Sequence, residues 1–316
     1  MQTNLPNKYI ELKVNRDLGA IIGTYFDFLK QNIKKFTNIF LSYNGIFLVG
    51  LLIVSYLLVT GFVGMITAEN NSGFGSTSSN LDTYSIYFIS GGILFFIIFI
   101  MVAILNYSLA GSYMIRYEEE KGRDFDKSHV WNFVKQKLGD IIVFVLLLII
   151  VYIGMSIVNF VFLIIPFVGF IAQYIIQFFV AAWIGVSFFL MLQENKGVTE
   201  SYGAGWSLVT KDFWKSVGVN FILGVLNAIL LFVVLMIPGI LVGVYSFHVV
   251  ENNVDIGASI VPTIVYTLAL CAFLIVLVYT QCLTQFVNGI LYYALHEKTY
   301  NTNTRSKIDE IGNLGE

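Results

Sequence analysis

The residue types that most often carry chemistry are few and scattered in this chain. Three histidines and two cysteines occur among 316 residues. A metal site needs several His, Cys or carboxylate ligands converging on one point. His129 and His248 fall in connections expected on opposite faces of a bilayer, and His296 falls on the side of His129. All three read as isolated surface histidines, and no metal is expected. Cys271 and Cys282 are eleven positions apart in one apolar stretch, about 16 Å along a helix. They cannot bond to each other and read as small apolar packing groups. No serine nucleophile elbow and no phosphate-binding Gly-Lys-Ser or Gly-Lys-Thr loop is present. Gly73-Phe74-Gly75 lies in a stretch rich in Ser, Asn and Gly, which is the composition of a flexible connector. The densest acidic run, Glu118-Glu119-Glu120 with Asp124 and Asp126, has the oxygen ligands of a cation site. Lys121, Arg123 and Lys127 are interleaved with it, so it reads as a charge-balanced solvated loop.

Amides are the remaining polar groups with a distinctive placement. Gln281, Gln285 and Asn288 share one helical face, with Thr284 beside them. Gln173 and Gln177 are four apart, and Asn106, Asn220 and Asn227 lie in other apolar stretches. Such side chains are costly against lipid, so they are expected to face other helices and bond across them. The functional alternative is a stripe lining a solute path. No catalytic residue and no cofactor is assigned, and the chain is expected not to be an enzyme.

These residues are positioned by a membrane architecture. Hydrophobic residues make up 57% of the chain and charged residues 12%, where soluble domains average about 25% charged. The net charge of −2 leaves no basic field for nucleic acid. A membrane-spanning helix needs about 20 apolar residues. Six stretches qualify: Asn44 to Ala68, Tyr84 to Ile115, Ile141 to Ile165, Phe167 to Leu192, Val219 to Phe247 and Ile260 to Leu295. None contains Asp, Glu, Lys or Arg. The first 40 residues are too polar for a cleavable signal peptide.

The charges between the stretches are one-sided. The segment before the first stretch carries six Lys and Arg, the second-to-third connection six, the fourth-to-fifth three, and the C-terminal segment three. The three opposite connections carry none of the 18, only Glu69, Asp82, Glu251 and Asp255. The positive-inside rule then places both termini in the cytoplasm and supports an even number of spans.

Each basic segment also carries an amphipathic pattern. The first has Leu18, Ile22, Tyr25, Leu29, Ile33 and Phe36. The second has Val130, Trp131, Val134 and Leu138, and the third Tyr202, Trp206, Val209 and Phe213. Segments 17–37, 124–139 and 200–215 are therefore expected as helices lying in the headgroup–acyl boundary, with Trp131, Trp206 and Trp214 as interfacial anchors. Local sequences echo one another. Phe28-Leu29-Lys30-Gln31 parallels Phe133-Val134-Lys135-Gln136, and Glu120-Lys121-Gly122 parallels Glu194-Asn195-Lys196-Gly197. Ile165-Pro166 and Ile237-Pro238 each fall at the far end of an odd-numbered span. The expected fold is all-α, a single membrane domain over 1–316. It comprises three parallel repeats, 17–115, 124–192 and 199–295, and a flexible tail over 296–316. Ser108-x-x-x-Ser112 and Gly239-x-x-x-Gly243 fit close helix approach.

The run from Glu194-Asn195-Lys196-Gly197-Val198 through Gly205-Trp206-Ser207-Leu208 to Phe213-Trp214-Lys215-Ser216-Val217-Gly218 resembles a motif of a known group. It is the motif before a membrane hairpin in the six-helix membrane domain of bacterial glycerophosphoryl diester phosphodiesterases and related bacterial membrane proteins. The Ile-Pro pairs are similar to turns in that group. The resemblance is sharp over residues 194–218 and implies a fold and a bacterial inner (cytoplasmic) membrane. It implies no activity, since none of the segments between spans is long enough for the soluble hydrolase domain found there.

Two function classes follow. The first is a non-catalytic membrane protein acting as a scaffold, an accessory to a partner or a factor in envelope maintenance. The second is a permease or carrier for an uncharged or amphipathic solute, using the polar residues of the sixth span. Membrane lipids and other membrane proteins are the expected partners; the solute is not specified by the sequence. Ion-coupled transport ordinarily places ionisable residues inside the membrane, and these spans have none. A continuous polar cavity favours the carrier. An apolar core with an exposed apolar groove favours the scaffold.

Overall fold

The computed structural model describes residues 9–71, 79–123, 125–162, 168–251 and 260–313. Every element among them is helical: α1 Leu18–Asn71, α2 Ser79–Glu119, α3 Lys127–Phe162, α4 Val168–Gln193, α5 Val198–Lys211, α6 Phe213–Glu251, α7 Val261–Tyr300 and α8 Thr302–Asn313. Six of these, α1 to α4, α6 and α7, are long and apolar enough to cross a membrane, as the six uncharged stretches require. The chain is a multi-pass membrane protein.

Local sequence explains several helix ends. Asp17 caps α1, its carboxylate accepting the Ala20 N–H at 2.7 Å, which satisfies one of the orphan donors of the first turn. Pro262 sits in the first turn of α7, where a missing N–H costs nothing. After α2, α4 and α7 the chain turns through a left-handed residue each time: Lys121 at φ 49°, Asn195 at φ 53° and Asn301 at φ 50°.

The amphipathic segments differ from expectation. Only the third is a helix of its own, α5. Segment 17–37 is the beginning of the 54-residue α1, and segment 124–139 runs directly into α3. No proline or turn sequence interrupts either junction, and extending an existing helix gains a hydrogen bond for each residue fixed. Between α5 and α6 the break falls at Asp212 (φ −129°, ψ 51°), whose carbonyl accepts the Ser216 N–H. Within the tail over 296–316, residues 302–313 form α8. Pro238 lies inside α6, not at a span end; it removes one backbone bond, which membrane helices tolerate. Gly73-Phe74-Gly75, Asp124 and Ile165-Pro166 lie outside the described residues.

The chain forms two compact units. The first comprises Met1–Ile39, Tyr107–Val225 and Cys282–Glu316; the second comprises Phe40–Asn106 and Leu226–Gln281. In the first unit the core is aromatic. Phe36 packs edge-on against Phe286 (4.7 Å between centroids) and Tyr113 (5.5 Å), and Phe28 packs on Phe286 (5.3 Å). The stripe of α1 buried here is Ile21, Tyr25, Phe28, Asn32 and Phe36. It is rotated from the predicted stripe, sharing only Tyr25 and Phe36 with it. In the second unit α1 and α2 approach at Gly61, where an added Cβ would lie 2.5 Å from the Phe88 backbone nitrogen. Gly239 and Gly243, by contrast, face open space, so they make no close contact among the described residues. Ser108 and Ser112 are fully buried, in keeping with close approach.

Candidate functional site

The polar face of α7 divides between the units. In the second unit, Asn106 of α2 donates to the Val278 carbonyl at 2.9 Å and to Gln281 Oε1 at 3.3 Å. In the first unit, Asn288 is 1% exposed. Its Oδ1 accepts from Asn220 Nδ2 of α6 at 3.1 Å, and its own Nδ2 donates to the Ala181 carbonyl of α4 at 3.4 Å. Gly185 makes room for this amide: a Cβ there would fall 2.3 Å from Asn288 Nδ2. One side chain of α7 thus bonds two other helices at once. Thr284 is part-buried and interacts within the protein.

Gln285 behaves differently. It is fully buried, and neither amide atom has a hydrogen-bond partner. The Tyr107 phenol faces this amide closely enough to act on it as a weak hydrogen bond, although the geometry falls short of a full bond. An unpartnered buried amide costs about 1–3 kcal/mol. Gln173 is half-buried and Gln177 exposed, contrary to the expectation that both face the bundle. The buried stretch of α4 begins at Phe179, and apart from Gly169 the turns before it lie outside the packed region.

Three carboxylates at the ends of α2, α4 and α7 organise the first unit, and the sequence reading missed all three. Glu118, taken as part of a solvated run, is 7% exposed. It accepts the Tyr9 hydroxyl at 2.6 Å and the Leu12 N–H at 3.3 Å. This holds an N-terminal strap in which Leu12 is fully buried. Burial and the facing Glu118 carboxylate push the Tyr9 phenol well above its ordinary value. Glu297 caps α8, accepting the backbone N–H groups of Asn303 and Thr304 at 2.9 Å each. Asn303 in turn donates to Glu11 and to the Lys13 carbonyl, both at 2.8 Å.

Glu194 is the third. Its carboxylate meets His296 Nε2 at 3.0 Å, Lys196 Nζ at 2.9 Å and the Tyr292 hydroxyl at 3.2 Å. His296 is therefore not an isolated surface histidine, whereas His129 and His248 are exposed. Burial alone raises the Glu194 carboxyl, but the bonds from His296 and Lys196 outweigh it and hold it at about 2. A folded value below the ordinary 4.5 means stabilisation fully present above pH 4.5 and lost as pH falls through about 2. The thermal midpoint of the purified protein in detergent is expected to exceed that of Glu194→Gln at pH 7. The gap should narrow as pH is lowered from 4.5 towards 2; a gap constant with pH contradicts the pairing. The signal available in sequence was an acid shortly before a residue able to take left-handed backbone, as Asn195 and Asn301 do.

Of the tryptophans assigned to the interface, Trp214 is 71% exposed and Trp206 48% exposed, while Trp131 is part-buried. Trp206 also packs edge-on against Phe179 and Trp183. Cys271 and Cys282 are buried free thiols, consistent with packing roles. Among the described residues no group of three or more His, Cys, Asp or Glu converges as a metal site would require.

The second unit contains a cavity of about 600 Å³ bounded by α1, α2 and α7. Its floor includes buried Val59, and its rim includes Phe62, Ile66 and Phe88, each more than 40% exposed. The two hydroxyls on its wall, Thr67 and Tyr266, are the polar side chains that line it. Comparison with protein-family models, with curated proteins and with solved structures finds no match to this chain.

Proposed function

We propose that this chain is a non-catalytic integral protein of a bacterial cytoplasmic membrane, serving as a scaffold, an accessory to partner proteins or a factor in envelope maintenance. The observation that carries the reading is Asn288, whose amide is occupied in tying α7 to α4 and α6. Gln281 is likewise engaged by Asn106. Both are the polar groups a carrier would need free, and the spans offer no ionisable residue to couple transport to an ion gradient. The one-sided distribution of all 18 basic residues supports cytoplasmic termini. The left-handed residue closing each of α2, α4 and α7 supports a threefold repeat. Separate α5 lies along the inner interface in this reading, while the basic beginnings of α1 and α3 continue their spans on the cytoplasmic side. The resemblance of residues 194–218 to the membrane domain of glycerophosphoryl diester phosphodiesterases supports the same compartment and fold.

The second reading, a carrier for an uncharged or amphipathic solute, is favoured by Gln285 alone, because a buried amide held only by a loose contact with the Tyr107 phenol is available to a solute. A strain lacking its own copy of the gene separates the two readings. Asn288→Leu is expected to accumulate poorly and complement weakly. Raising its expression to the wild-type level should restore the phenotype if the protein acts as a scaffold. A variant restored in amount but not in function removes the support that Asn288 gives.

A further inference from the structure

The cavity of the second unit has the dimensions and chemistry of a site for hydrocarbon. From Leu58 to Thr67 its α1 wall spans ten residues, about 14 Å over the rises between them at 1.5 Å each. One leaflet of hydrocarbon is about 15 Å, half of the ~30 Å core. Thr67 lies four residues before the end of α1 at Asn71, so the cavity begins about 6 Å inside the helix end and occupies the depth of the leaflet at the α1–α2 hairpin end. Its polar wall groups are already spent. Thr67 Oγ1 donates to the Val63 carbonyl at 2.9 Å, and the Tyr266 hydroxyl is bonded to Ser246 Oγ at 2.9 Å. Among the described residues a polar solute entering here would lose its water and meet only the remaining lone pairs of these two hydroxyls and at most one hydroxyl hydrogen. An alkyl chain needs neither. Its opening is flanked by the exposed side chains of Phe62, Ile66 and Phe88, which at this depth meet lipid rather than water.

We infer that this cavity lodges one acyl chain of a bilayer lipid from the leaflet at the α1–α2 hairpin end, held more persistently than the lipids that exchange around the remaining surface. The inference does not depend on the scaffold reading, since it uses none of the α7 amides.

The test uses the full chain in vesicles of phosphatidylcholine and phosphatidylglycerol. These are doped with phosphatidylcholine carrying a diazirine midway along one acyl chain. After irradiation, label is mapped by peptide mass spectrometry. When the doped protein is first exchanged into undoped vesicles and then irradiated, label at Val59, Val63 and Leu270 is expected to outlast label at exposed Ile53 and Ile97, which falls with the exchange. Val63→Trp fills the cavity and should lower cavity labelling about tenfold, since the ring displaces at least two methylene groups. Leu270→Phe narrows it from the α7 side and should lower it too. Ile53→Trp, on the exposed face, should not. If Val63→Trp fails to accumulate, Leu270→Phe and the exchange experiment on the wild type still decide. Loss of label at the same rate at every site, or cavity labelling unchanged in both filled variants, overturns the inference. So does stronger cavity labelling by a free fatty acid bearing the same diazirine, which assigns the cavity to a soluble alkyl acid instead.

Discussion

Gly61→Ala is expected to destabilise the protein, although alanine is the better helix former by about 1 kcal/mol. The new methyl would lie 2.5 Å from the Phe88 nitrogen and 2.8 Å from its Cα. Both are backbone atoms of α2, so no rotamer change relieves the contact and the two helices must move apart. Overpacking of this kind typically costs about 1–3 kcal/mol, and close backbone approach is a main source of helix association where lipid is as apolar as the side chains. Gly64 and Gly91 serve the same hairpin; a Cβ at Gly64 would fall 2.1 Å from the Tyr84 ring. Gly239→Ala is the matched control, with nothing within 4 Å of its Cβ position, and it should leave stability unchanged or raise it by up to about 1 kcal/mol. Thermal unfolding of both variants in the same detergent checks the pair. Equal tolerance at the two sites contradicts the α1–α2 packing.

That contrast also marks where sequence reading stops. The six spans were legible because an uncharged apolar run longer than 20 residues has few other uses in a protein. Their rotation about their own axes was not. Gly239-x-x-x-Gly243 has the spacing of a helix contact and faces open space, while Gly61 and Gly64, at a less regular spacing, make the contact. Which face of an all-apolar helix meets a neighbour depends on side-chain fit along its length, and hydropathy is blind to it. Gln177 was misplaced for the same reason. The amphipathic segments failed differently. In α1 and α3 the buried stripe is rotated from the predicted one and serves the first unit's core, and nothing in the sequence stops the helix before the span begins. The carboxylate anchors were hidden because Glu118 sits in an acidic run that resembles solvated chain, and only the strap folding back from Tyr9 to Leu12 buries it.

The second large effect concerns the two neighbouring amides of α7. Asn288→Leu removes the bonds to Asn220 and Ala181 and should cost about 0.6–2 kcal/mol, the range for hydrogen bonds between membrane helices. Gln285→Leu gives up only the loose contact with the Tyr107 phenol. It replaces an unpartnered buried amide with a group of similar size, a change expected to be neutral or stabilising by up to about 3 kcal/mol. One turn of helix separates opposite outcomes, and an average polarity argument would assign both residues the same sign.

Gln285 is also the residue on which a solute path would depend, so its removal tests the central claim that the polar groups of the spans hold helices together. The decisive measurement is complementation of the deletion strain by Gln285→Leu, with protein level and thermal midpoint determined in the same cells' membranes. The scaffold account expects wild-type abundance, an unchanged or higher midpoint, and full complementation. A Gln285→Leu protein that is abundant and stable yet fails to complement contradicts it and assigns the buried amide to a solute.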